Sequence, residues 1–275
     1  MLSTLLKYDL RATRKVNVTL LVSSVLASIV GSLAFFAFIT VSFIEKPTTA
    51  QTFGAVAAML VFIMSIMTVV MACGIAIILV FYRFYKNLYT DEGYLTFTLP
   101  VRKKDILLSK TLHAVIWYAA VAITGVICFI IYSFSIPRVN VGEEEGFLQE
   151  LIIMLVGTEF TEWLPIYTIL LVILLISYVL FSISIVHFCI TLGSVVAKKH
   201  KLLAGIGFYY LANSVISIVT QLLSWNSFFI IDSFGDSTQL GYLLILVIIT
   251  VIVSLAALIL YMSTLRMMKK KLNIA

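Results

Sequence analysis

Charged residues are scarce in this sequence. Asp, Glu, Lys and Arg make up 12% of its 275 residues and apolar types 62%, where water-soluble domains carry about 25% and about 45–50%. The scarcity excludes a water-soluble domain and makes lipid the solvent. The alternating ten-residue pattern of a membrane β-barrel is also missing, and unpaired backbone is too costly in hydrocarbon for any other non-helical spanning form. The expected fold is an α-helical bundle. Cysteine is too sparse for a disulfide framework: Cys73, Cys128 and Cys189 each fall inside an apolar run, and no two adjoin on the outer face. All three read as small core residues.

Several chemistries lack their residues. The apolar runs contain no Asp, Glu, Lys or Arg in their central portions, so ion-coupled transport is without its usual carrier. His113 and His187 stand toward the ends of runs, where an isolated histidine reads as a satisfied structural residue. No G-x-x-x-x-G-K-[ST] phosphate loop, H-E-x-x-H helix, paired cysteines or G-x-S-x-G turn occurs. Glu143, Glu144 and Glu145 are consecutive, but no histidine accompanies them and adjacent helix positions do not converge on one ion. They read as a solvated acidic loop. The sequence therefore predicts no catalytic residue, metal or cofactor in this chain; if the protein performs work, another chain supplies the chemistry.

What is present is six apolar runs, at 18–44, 53–82, 112–136, 164–196, 202–223 and 240–264. Each is long enough to cross a ~30 Å hydrocarbon layer as a helix rising ~1.5 Å per residue. Four Lys or Arg precede the first run, six lie in 83–110, three in 198–201 and four from Arg266 onward, so 17 of the 19 occupy alternate segments. The intervening segments hold only Lys46 and Arg138, with nine of the 13 acids. By the positive-inside rule the basic segments face the cytoplasm. This predicts an all-α membrane protein of six transmembrane helices, N- and C-termini cytoplasmic, with 1–275 as a single membrane domain. The net charge of +6 orients the chain and meets anionic lipid head groups; it does not point to nucleic acid.

The first run lacks a cleavage site followed by polar sequence, so it reads as a retained helix rather than a signal peptide. Residues 1–16 place Leu2, Leu5, Leu6 and Leu10 among Lys7, Asp9, Arg11 and Arg14, which fits either an interfacial amphipathic segment or a plain orienting flank. The outer loop 137–163 carries Phe147, Leu148, Leu151, Ile152 and Leu155 at helical spacing, predicting a small amphipathic helix. A second outer loop, 224–239, contains the apolar patch Phe228 to Ile231, suited to dipping back into the bundle.

Polar residues within the runs are periodic. Asn213, Ser217 and Gln221 recur every four residues, which puts them on one helix face that should avoid lipid. Ser177, Ser184 and Thr191 follow a seven-residue repeat, and Ser24, Ser28 and Ser32 stand beside Ala27 and Gly31. Small residues at this spacing let helices approach closely. Two readings stand for these stripes, helix packing including a dimer contact, or an uncharged translocation path; for the first run packing is preferred.

The most specific stretch connects the second and third runs, from Phe84 to Lys104, reading FYKNLYTDEGYLTFTLPVRKK. A connection merely crossing water would not crowd Tyr94, Leu95, Phe97 and Leu99 together. Pro100 suits the opening turn of a helix, and Arg102, Lys103 and Lys104 before Ile106, Leu107 and Leu108 fit an amphipathic lead-in. The expectation is a short apolar docking element followed by a positively charged helix at the membrane surface. At Tyr85 to Lys110 the sequence resembles the ABC-2 type permeases, particularly those of Gram-positive bacteria, and the layout of six spans with inside termini is similar over nearly the whole chain. The resemblance implies an ABC-2, type V exporter-like bundle in a bacterial cell membrane. It also implies that Tyr94, Leu95, Phe97, Leu99, Pro100, Arg102 and Lys103 couple to a separate ABC ATPase subunit, which would hold the ATP and Mg. It further implies a second permease chain, identical or related, and export of a hydrophobic or amphipathic substrate such as a peptide, drug or lipid. Unlike some members, this chain has no large outer domain.

The competing readings are an ATP-independent membrane scaffold or immunity protein using the same segment, a passive channel or secondary carrier, and last an intramembrane enzyme. Loss of ATPase binding when Leu95, Phe97 and Leu99 become Asp separates the permease from the scaffold; transport without ATP marks the channel or carrier.

Overall fold

The computed structural model describes residues 2–42, 44, 48–98, 101–135, 164–197, 199–233 and 238–270. Seven helices carry it: α1 (Leu2–Ser42), α2 (Thr49–Tyr89), α3 (Asp91–Thr98), α4 (Lys103–Ser133), α5 (Leu164–Val196), α6 (Lys201–Ser233) and α7 (Thr238–Lys270). No strand occurs among the described residues. All but α3 are long and apolar enough to cross a membrane, with mean hydropathy from 1.7 to 3.3 in their most apolar stretches. Only 6% to 22% of the residues in those stretches are buried inside the chain, and side chains such as Leu33, Phe53, Met64 and Phe134 stand exposed. So much bare hydrocarbon is stable only in lipid, where it costs nothing to leave it uncovered. The chain is a multi-pass membrane protein.

The helices outrun the apolar runs. Residues 2–16 are the opening turns of α1, continuous with its apolar part. The loop expected at 224–239 is largely helix: α6 continues to Ser233 and α7 begins at Thr238. The reason is local, since no Gly or Pro interrupts the sequence from 208 to 234 and the apolar residues there keep the helix going. The predicted amphipathic helix in 137–163, with Glu143 to Glu145, lies outside the described residues, as do the side chains of Phe228 to Ile231.

Two compact units form, Met1–Phe84 with Leu108–Glu143, and Tyr85–Leu107 with Glu144–Ala275. In the first, α1 is inverted relative to a helix in water: its buried residues are Asp9, Thr13, Asn17, Ser24, Ser28 and Gly31, all polar or glycine. The small members of this stripe bring α1 close to its neighbours, as the serine spacing predicted. A Cβ on Gly31 would stand 2.6 Å from the Ser65 Cβ of α2. The Ser65 hydroxyl lies 3.0 Å from that of Tyr132 on α4, and Ser135, just past α4, donates to Ser32 at 2.6 Å. Phe62 stacks on Phe35 and meets Tyr132 edge-on. Cys128 is buried and its thiol points to the Ser24 carbonyl; Cys189 is buried too, Cys73 half-buried, and all three are free thiols.

In the second unit α5 is central, packing on both α6 and α7, which meet each other only lightly. The α5–α6 approach depends on two glycines: a Cβ on Gly193 would fall 2.3 Å from the Gly205 nitrogen and 2.6 Å from its Cα. Ile183, Cys189 and Thr191 line the buried side of α5.

Candidate functional site

The connection between α2 and α4 has a defined build. α2 ends at Tyr89, where Thr90 Oγ1 donates to the Lys86 carbonyl at 2.5 Å and Gly93 N donates to the Thr90 carbonyl at 2.8 Å. Gly93 is needed here, since a Cβ would fall 2.6 Å from the Leu88 carbonyl oxygen. The chain then forms α3, a separate helix of eight residues. α3 folds back on the end of α2: Lys86 pairs with Glu92 at 3.0 Å, and Thr96 Oγ1 donates to the Asn87 carbonyl at 3.0 Å. Tyr94 projects from α3 largely exposed. The side chains of Leu95 and Phe97, and all of Leu99 and Pro100, lie outside the described residues.

Past that gap the Arg102 carbonyl accepts from the Asp105 and Ile106 amides, opening α4. Arg102 and Lys104 are exposed while Ile106 and Leu107 are buried, the amphipathic lead-in expected from the sequence. Lys103 donates to the Met268 carbonyl near the end of α7 at 2.9 Å, where a cation meets the negative end of a helix. Tyr89 is tied to α5: Thr191 gives its hydroxyl hydrogen to the His187 carbonyl at 2.7 Å, so the phenol donates to Thr191 Oγ1, at 2.6 Å. Both ends of the segment are therefore anchored within the second unit.

The first unit holds a polar cluster where α2 and α4 enter it. Lys110 of α4 donates to both carboxylate oxygens of Asp9 on α1, at 2.7 and 2.8 Å, and Arg83 of α2 brings its Nε to 3.5 Å of the same carboxylate. The Asp9 and Lys110 side chains are 7% and 8% exposed. A buried charge is tolerated only when paired, and removing one partner of such a pair costs about 3–5 kcal/mol. One turn along α1, Thr13 Oγ1 accepts from the Trp117 indole at 3.0 Å and lies 3.0 Å from His113 Nε2. In the tautomer with the ring proton on Nδ1, Thr13 donates to His113. His113 is held by a hydroxyl, the structural role its position suggested. A further turn along, Asn17 is fully buried and its amide finds no hydrogen-bond partner among the described residues.

The polar stripes separate. Ser177 and Ser184 are buried on α5, and Ser254 of α7 donates to Ser177 at 2.9 Å, a packing contact. Asn213, Ser217 and Gln221 on α6 are exposed. The opposite face of α6, including Leu211, Val215 and Val219, lines a groove of about 1290 Å³ with α5 and α7. Within that lining the Thr220 hydroxyl already donates to the Ser217 carbonyl. No group of three or more His, Cys, Asp or Glu suited to a metal ion occurs among the described residues.

No family model, curated protein or solved structure matches the chain.

Sequence reasoning missed the Asp9 cluster because it placed Asp9 in an interfacial or orienting flank and Arg83 and Lys110 in the basic connection 83–110, all outside the apolar runs. A signal was available. Asp9 is the only acid in a segment with four Lys or Arg before residue 16, and it shares a four-residue spacing with Thr13 and Asn17. Lys110, His113 and Trp117 share a face of α4 at spacings of three and four.

Proposed function

We propose that this chain is the membrane-spanning permease subunit of an ABC-2 type transporter in a bacterial cell membrane, with both termini in the cytoplasm. It works with separate ATP-hydrolysing subunits and a second permease chain to export a hydrophobic or amphipathic substrate. The observation that carries the reading is α3: an eight-residue helix standing between two spans, presenting Tyr94, in the segment with six of the 19 Lys and Arg. The strongly biased distribution of cations supports the orientation. A free loop would need no such helix, nor the tethers to Thr191 and Met268 that brace it. In this reading α3 and the basic start of α4 seat on the ATPase, whose closure displaces the segment and rocks one helical body against another. The exposed stripe Asn213, Ser217 and Gln221 supports a partner within the membrane, because polar side chains facing hydrocarbon are unfavourable and a second permease covers them.

The test is mild-detergent purification of the tagged chain from its native membrane, with the co-purifying proteins identified and assayed for ATP hydrolysis. Recovery of a phosphate-loop ATPase is expected, together with its loss when Leu95, Phe97 and Leu99 are all replaced by Asp in a chain that still folds. A stable preparation lacking an ATPase, or an ATPase held equally well by the triple variant, refutes the assignment of this segment. ATP-independent transport in vesicles would move the reading to a channel or carrier.

A further inference from the structure

Arg83 and Lys110 occupy a distinctive place in the chain. They stand almost at the last and first residues of the first unit, on either side of the excursion 85–107 that belongs to the second. α2 leaves the first unit just after Arg83, and α4 re-enters it just before Lys110. Both cations converge on the single carboxylate of Asp9, contributed by a third helix. Three helices are thus joined by one acidic side chain at the point where the segment carrying α3 departs and returns.

Stability alone does not explain this arrangement. Apolar side chains of similar volume hold helices together without the cost of burying charge, whereas a paired charge fixes which residues must face each other. Four other described bonds join α1 to α4 or its end, and two of them, joining His113 and Trp117 to Thr13, lie one turn along α1 from Asp9, so the helices do not need Asp9 merely to meet. What Asp9 adds is an ionic link between Arg83 on α2 and Lys110 on α4, close to the point where the segment between them departs and returns and beside the edge-on packing of Phe81 against Tyr118.

We propose that Asp9 is a positioning residue that locks the ends of α2 and α4 into a single lever, so that displacement of the α3 segment reaches the first unit as one movement. The proposal rests on the permease reading for the source of the displacement, while the lock itself is a property of the chain alone. Neutralising Asp9 breaks this ionic link without touching α3, so the segment still binds its partner but part of its motion is dissipated at the junction.

The experiment places spin labels at Ile78 on α2 and Ile116 on α4, both exposed, after replacement of the three native cysteines. Their distance distribution is measured in nanodiscs for the full chain with its co-purified ATPase, before and after vanadate trapping with ATP. The native protein and Asp9→Glu, which keeps the carboxylate, give one narrow distribution in both states. Asp9→Asn retains the ATPase and its basal hydrolysis but loses the narrow distribution on trapping. A merely structural pair would lower the yield of folded Asp9→Asn yet leave the trapped distribution of the folded fraction unchanged, and that result overturns the proposal. Should Asp9→Asn not fold, Asp9→Asn combined with Lys110→Met removes the two most deeply buried charges, leaves only the partly exposed Arg83 without its carboxylate, and must show the same broadening. If no ATPase co-purifies with the native chain, the permease reading fails by itself. The lock is then decided without nucleotide, with a broader distribution in Asp9→Asn supporting it and an identical one refuting it.

Discussion

Gly31→Ala adds one methyl where α1 crosses α2. Its Cβ would lie 1.8 Å from Ser65 Oγ and 2.6 Å from Ser65 Cβ, with the Tyr132 ring at 3.1 Å. The hydroxyl can swing aside, but doing so gives up its bond to the Phe62 carbonyl at 2.7 Å and its contact with Tyr132 at 3.0 Å. The Cβ of Ser65 cannot swing, because it is fixed to the backbone. Carbon atoms pack best at about 3.5–4.0 Å, so α1 and α2 must part by about 1 Å locally. Overpacking of this kind costs about 1–3 kcal/mol. Ser65→Gly removes the obstacle, so the double variant Gly31→Ala/Ser65→Gly should recover much of that loss, a coupling of about 1–3 kcal/mol between the two positions. The assay is SDS-titrated unfolding from mixed micelles with Trp163 and Trp225 replaced by Phe. That leaves Trp117, buried in the same unit, as the fluorescent reporter. Effects of the two substitutions that simply add, within about 0.5 kcal/mol, would show that the helices do not touch at Gly31 and refute the reasoning.

Gly193→Ala meets backbone instead, at Gly205 N, Gly205 Cα and the Lys201 carbonyl. No side-chain truncation can relieve it, so thermal unfolding in detergent should show a larger loss than Gly31→Ala. Gly207→Ala, with nothing within 4 Å of the new methyl, should be neutral or slightly stabilising; equal effects at 193 and 207 would refute the close α5–α6 approach. Tyr89→Phe removes the donor to Thr191 while Thr191 keeps its bond to the His187 carbonyl, so a loss of about 0.5–1.5 kcal/mol is expected in the same SDS titration. An unchanged midpoint would mean that the phenol does not brace the end of α2.

The sequence by itself determined the solvent and the number of spans. Apolar runs longer than a bilayer is thick leave few options for a backbone whose polar groups must be paired within the segment. It also made the small-residue approach of α1 legible, because Ser24, Ser28 and Gly31 follow helical spacing, and it located the segment around α3, where apolar residues stand among charges. Only the tertiary structure decided which polar residues face which helix. Ser177 and Asn213 look alike as polar residues in apolar runs, yet one is buried against Ser254 and the other lies open on α6. Asp9, Arg83 and Lys110 are 74 and 27 residues apart along the chain, and each taken singly reads as part of a segment flanking an apolar run. Their meeting depends on how far α1, α2 and α4 run past their apolar parts and on the rotation of each helix about its axis. Hydrophobic periodicity fixes neither in a bilayer, where lipid covers any apolar face as readily as protein does.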